Sequence, residues 1–200
     1  VDTDITYAVT SGRTLTLTAA QADGRTIAGE TGTNVYVTQL GAAQVDLSQI
    51  SAPGVLSANV PSSATLDALT DLGDFAVTVA SGQILTLSTA QAGGTVITGA
   101  GGVTVTGLGS DAIDLSDITV TGAKTVTVTG TQTLNASTDL GGFNITVDSP
   151  NTLTLTAAQA DGLTITGTGS VTITGLGSGE VDLSGISASA SADVAGDVTL

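Results

Sequence analysis

The chain has 200 residues, 37 of them threonine and 27 glycine, with no cysteine, methionine, tryptophan or histidine and only two tyrosines and two phenylalanines. Its formal net charge of −15, from 18 acidic against three basic residues, repels nucleic acid and anionic lipid and attracts cations, so no nucleic-acid role is expected. Without cysteine there is neither a disulfide framework nor a thiolate metal site.

In chain order, DITYAVTSG (4–12) alternates apolar and polar residues as a strand with one buried face does. TLTLTAAQADG (14–24) follows, a strand running into Ala-Ala-Gln-Ala, where Thr18 is predicted to cap one helical turn that Gly24 closes. NVYVTQLGAAQVDLSQI (34–50) completes the pattern, which then begins again. DFAVTVASG (74–82) and GFNITVDSP (142–150) match the opening, and ILTLSTAQAGG (84–94) and TLTLTAAQADG (152–162) match the phrase after it. GVTVTGLGSDAIDLSDI (102–118) and SVTITGLGSGEVDLSGI (170–186) match the third stretch. The equivalent glycines 24, 94 and 162 set a period near 70 residues. The copies are read as 1–69, 70–137 and an incomplete 138–200, in one continuous array.

In the second copy the predicted strands are 75–79, 84–88, 95–98, 103–106, 112–115, 118–121, 125–129 and 133–136. Short parallel-stacking strands with an internal period predict an all-β parallel β-solenoid, or β-helix, of about three coils per repeat, with Val, Ile and Leu inside and Thr and Asp outside. Nine coils at a spacing of ~4.8 Å would make a rod of roughly 40 Å with an open edge at each end. The alternative is a string of small β-sandwich domains. Outward threonines are expected to hydrogen-bond to a threonine in the next coil.

A mean hydropathy of +0.41 comes from alternation, with no apolar run near the ~18 residues of a spanning helix and no aromatic girdle, so no membrane insertion is expected. The chain opens at Val1 without a charged or apolar leader and is read as a piece of a longer protein.

No His or Cys, no G-x-S-x-G elbow and no phosphate loop offers catalysis, and the chain is not expected to be an enzyme. Tyr7, Tyr36, Phe75 and Phe143 are expected in the core or at joints rather than as sugar platforms. The sequons at Asn135 and Asn144 match a pattern that is frequent by chance.

GLGSDAID (107–114) is the sharpest motif. It resembles half of the glycine-rich, Asp-bearing nonapeptide of RTX proteins, whose repeats wind a β-roll around calcium. That resemblance makes Asp111 and Asp114 the candidate calcium ligands. Thr106 stands where the first glycine belongs, and Ala43 and Gly179 replace Asp111 in the sister copies, so a plain glycine turn is the simpler account. The VDLS-type segments place Asp46, Asp114 and Asp182 once per copy on the solvent side, as surface charge or as lateral calcium bridges to neighbouring molecules. Thr-x-Thr runs such as 125–127, 152–154 and 172–174 resemble the arrays of ice-binding β-solenoids, though here they occupy several strands of a copy.

The stretch LTLTAAQADGLTITGTGSVTITG, in its acidic, Thr/Gly/Ala-rich setting, resembles the β-strand repeat arrays of very large bacterial surface proteins: S-layer-like proteins, type I-secreted adhesins and extracellular fibre subunits. The resemblance covers nearly the whole chain. It implies secretion to the cell surface, a passive scaffold or spacer role, self-assembly end to end or laterally, and calcium at joints.

Overall fold

In the computed structural model, residues 6–177 and 179–194 are described. The beginning of the DITYAVTSG match and the end of the third copy lie outside them. The strands are β1 (Thr6–Val9), β2 (Thr14–Thr18), β3 (Thr26–Gly29), β4 (Asn34–Thr38), β5 (Ile50–Ser51), β6 (Leu56–Val60) and β7 (Ala64–Thr65) in the first repeat. The second adds β8 (Ala76–Val79), β9 (Ile84–Ser88), β10 (Ile97–Gly99), β11 (Gly102–Leu108), β12 (Lys124–Val128) and β13 (Gln132–Thr133). The third has β14 (Asn144–Val147), β15 (Thr152–Thr156), β16 (Ile165–Thr166), β17 (Ser170–Leu176) and β18 (Ser189–Val194). Three single helical turns, α1 (Ala19–Ala22), α2 (Thr89–Ala92) and α3 (Ala157–Ala160), complete the elements.

The chain is an all-β parallel β-solenoid. It divides into two compact units, Val1–Val103 with Asp117–Ala123, and Thr104–Ser116 with Lys124–Leu200, so the repeats are not themselves separate domains. In the first unit β1, β3 and β5 form one parallel sheet and β2, β4, β6, β8 and β10 another, while β7 pairs with β9. In the second unit β12 pairs β14 and β14 pairs β16, while β13, β15, β17 and β18 form a four-stranded sheet. All these pairings are parallel. Independent sandwiches, which need antiparallel neighbours, are thereby excluded.

Alternation sorts the side chains as expected. Val77, Val79, Leu85, Leu87, Ile145, Val147, Leu153 and Leu155 are all buried, each stabilising the fold by roughly 1.5–3 kcal/mol. Their Thr neighbours, such as Thr78 and Thr154, stay exposed or half-buried. Two predicted strands shrink to less. ITVT (118–121) contributes a bridge at Ile118 to Ile97, and AIDL (112–115) a bridge at Asp114 to Asp139.

The helical turn after each T-L-T-L strand is held by a capping box. Thr18, Ser88 and Thr156 accept from the main-chain N–H of Gln21, Gln91 and Gln159, whose side chains accept in return from the cap residue's N–H. One helical turn is unstable alone, and the box ties it to a strand that is already fixed. Gly24, Gly94 and Gly162 then take φ of +61°, +72° and +68°, the left-handed exit that the glycines in these phrases predicted.

The fold has about nine turns, in keeping with about three coils per repeat, but equivalent strands of successive repeats do not fall on the same wall. Lateral neighbours lie about twenty residues apart on the strand walls: Thr14 pairs with Asn34, Val35 with Leu56, Ala58 with Val77 and Val77 with Ile97. On the wall carrying the VDLS segments the step is longer, Asp46 pairing with Asp71 and Asp114 with Asp139. Because one repeat carries the seven strands β1–β7, its sixth and seventh strands support the first and second of the next. β6 thus carries β8, and β7 carries β9; in the second unit β12 carries β14 and β13 carries β15. Equivalent strands end up in different sheets, β1 in one and β8 in the next.

Candidate functional site: acidic rungs and open strand edges

Asp46 and Asp71 face each other across a parallel bridge, the Leu47 N–H donating to the Asp71 carbonyl and the Asp71 N–H to the Val45 carbonyl, both at 2.9 Å. Asp114 and Asp139 repeat the arrangement, at 2.9 Å from the Leu115 N–H and 2.8 Å to Ile113. Two carboxylate-bearing residues therefore occupy adjacent coils, about 4.8 Å apart along the stack. Comparing only the VDLS segments with one another missed this pairing. Asp71 and Asp139 lie in the TDLG stretches (70–73 and 138–141) that open the second and third copies, twenty-five residues along the chain from Asp46 and Asp114.

Each carboxylate is tied into a local turn. Oδ1 of Asp46 accepts from the Ser48 N–H at 2.9 Å and its hydroxyl at 2.6 Å, and Asp114 does the same with Ser116. Asp71 and Asp139 accept from Gly73 and Gly141 N–H, both at 2.9 Å. The serine hydroxyl first, and the serine N–H second, hold the carboxyls of Asp46 and Asp114 below their ordinary range; Ser184 does so for Asp182. Asp23 and Asp161, from the A-Q-A-D-G phrase, accept from the N–H of Asp46 and Asp182 one coil on, at 2.9 and 2.7 Å. The second copy, with Gly93 at that position, has no carboxylate to do so.

Of the two sequence-predicted calcium ligands, Asp114 is exposed on the acidic rung and Asp111 is exposed in the turn before it. Among the described residues no group of three or more His, Cys, Asp or Glu side chains is placed to hold a metal ion. The structure brings Asp114 together with Asp139 rather than gathering an RTX-like ligand set around Asp111.

The threonines differ in detail from expectation. Thr38, Thr166 and Thr174 donate to the main-chain oxygens of Leu17, Ile145 and Leu155 in the preceding coil at 3.1, 3.4 and 3.3 Å, rather than to another threonine. In the sheet β15–β17–β18, Thr154, Thr172 and Ser191 lie in register. The aromatic residues split: Phe75 and Phe143 are buried, while Tyr7 and Tyr36 are exposed, Tyr7 lying 5.8 Å under Arg25. Lys124, not singled out from sequence, donates to the Gly141 carbonyl and sits 5.4 Å over the Phe143 ring.

The second feature is the set of strands that end a sheet among the described residues. β1 and β2 each end a sheet, and β18 ends another. Leu15 and Leu17 are only half-buried, whereas Leu85, Leu87, Leu153 and Leu155, their copies, are at most 1% exposed. With Tyr7, Gln21, Arg25 and Ile27 they line a mainly apolar depression of about 340 Å³. All residues of β18 are exposed, though the corresponding β6 and β12 bury alternate residues.

These features define the chain as a β-solenoid repeat protein. No protein-family model, no curated protein and no solved structure matches it.

Proposed function

We propose that this chain is a structural repeat segment of a secreted bacterial cell-surface, S-layer or extracellular filament protein, acting as a rod-like scaffold or spacer that assembles with its neighbours. One observation carries the reading: each repeat's last strands are the support for the next repeat's first strands, as in β6 on β8 and β12 on β14, so the design extends without closing. Such an array grows by nearest-neighbour contacts alone. The acidic surface keeps segments apart in solution, and calcium bridging the Asp114–Asp139 rungs of adjacent molecules is the lateral contact the charge favours. Small-angle scattering on chains of one, two and three repeats tests the role. Maximum dimension should rise in proportion to repeat number, and a constant dimension would remove the spacer reading.

The in-register Thr154, Thr172 and Ser191 of β15, β17 and β18 favour a second reading, an ice-binding face. Thermal hysteresis at micromolar protein would support it; none, with normal ice-crystal shape, would dismiss it.

A further inference from the structure

We propose that two copies of this chain meet face to face through the wall formed by β2, β4, β6, β8 and β10, about a two-fold axis at Ser57. On the outer face of this wall Thr16, Tyr36, Ser57 and Ala76 stand in register across four strands. Val96 continues the row, its carbonyl accepting from the Val77 N–H at 2.8 Å. Val55, whose carbonyl accepts from the Val35 N–H at 2.9 Å, lies at its margin. Tyr36, Val55 and Val96 are 37, 52 and 45% exposed. The other copies carry smaller or more polar residues at these places. Tyr36 aligns with Thr104 and Thr172, Val96 with Thr26 and Thr164, and Val55 with Ala123. Large apolar side chains standing where the copies have threonine or alanine, on one exposed sheet face, mark a contact surface.

Charge and shape select a second copy as the partner. The five strands of the wall contain no charged residue, and Asp23, Asp46 and Asp71 of the same unit lie outside them. Two chains that each carry a net charge of −15 repel wherever their aspartates approach, so an uncharged wall is where like chains can touch. A basic partner would be drawn to the aspartates instead. Turning one copy about an axis parallel to the strands at Ser57 lays its Tyr36 over Ala76 of the second copy and Ser57 over Ser57. The largest side chain of the row thereby seats on a small one, twice by symmetry, and Val96 comes over Thr16. The face measures roughly 24 by 16 Å, about 400 Å² per copy, which is less than the ~1,200 Å² total of a stable complex. The contact is accordingly weak between isolated chains.

The proposal rests on the scaffold reading and names the face through which neighbours join. The chain has no cysteine, so Ser57→Cys places a single thiol at the axis. Facing sheets lie about 10 Å apart, and a bismaleimide of that span should join two Ser57→Cys chains. Thr125→Cys, at the equivalent and equally half-buried position of β12, should give about tenfold less dimer. Tyr36→Thr, which restores the residue of the other copies, should cut the Ser57→Cys yield about tenfold, and Val96→Thr should lower it as well. Circular dichroism establishes that the variants keep the parent's β content. The dimer should persist in a chelator and increase with salt, because screening relieves the repulsion between the aspartates of the two copies. The unsubstituted chain should form a reversible dimer in sedimentation as its concentration approaches about 1 mM. Equal yields from positions 57 and 125, a yield indifferent to Tyr36→Thr, a dimer lost in chelator, or a parent monomeric at about 1 mM would overturn the contact. If maximum dimension still grows with repeat number, the scaffold role survives that loss.

Discussion

The side-chain amide of Gln91 donates to the carbonyls of Asp67 and Thr70, at 2.8 and 3.1 Å, while its oxygen accepts from the N–H of Ser88 at 3.0 Å. One glutamine thus caps a helical turn and ties that turn to the coil before it. Gln159 does the same through Asn135, at 2.7 Å. Gln21 makes the capping contacts of the first copy. Replacing Gln91 by alanine should cost about 1–3 kcal/mol, the cap and the cross-coil bonds together, and Gln21→Ala nearer 1 kcal/mol. Urea unfolding followed by circular dichroism compares the two.

Core truncation should depend on position even where the sequence is identical. Leu153→Ala, at a fully buried site, should cost about 2–5 kcal/mol. Leu15→Ala alters the same letter of the same phrase, but at a half-buried site, and should cost less than half as much. Equal losses would mean that the first coil is covered in solution by a neighbour.

Gly141 marks a close approach of two coils. Its φ is +56°, and a Cβ there would lie 2.4 Å from the Leu115 carbonyl oxygen. Gly141→Ala should therefore destabilise by several times the ~1 kcal/mol expected of Gly12→Ala, where φ is +69° and the space is open. Thermal melts of both variants check the ratio.

The Asp114 turn makes stability depend on pH in a defined direction. Its folded carboxyl titrates below the ordinary value because Ser116 favours the charged form. The contribution is then complete above the ordinary carboxylate range, near pH 4, and disappears as pH falls through the lowered value. Ser116→Ala should flatten that acid-side loss relative to the parent, with little change in its slope above pH 6. Melting temperatures between about pH 2 and 7 provide the measurement.

Much of this was legible in the letters. Alternating Val and Leu gave the inward faces of β8, β9, β14 and β15, and Thr18 before Ala-Ala-Gln-Ala with Gly24 after it gave the capped corner, though not the part the glutamine plays in it. Pairing was harder to read, because strands pair with unlike partners: β8 rests on β6, not on its own copy β1. For the same reason Asp114 was visible while its neighbour Asp139 was not. Tyr7 and Tyr36 misled because a strand's outer face tolerates a large ring as readily as its inner face excludes water from a small one.

The handover from β6 to β8, and from β12 to β14, also governs how such a chain can lengthen or shorten. Removing one full period of about 70 residues leaves each remaining joint between the partners it had before. Excising a single coil sets a strand against a neighbour shaped for another, with apolar and polar letters matched to the wrong rung. Viable size variants should accordingly differ by whole periods, as links are added to or taken from a chain.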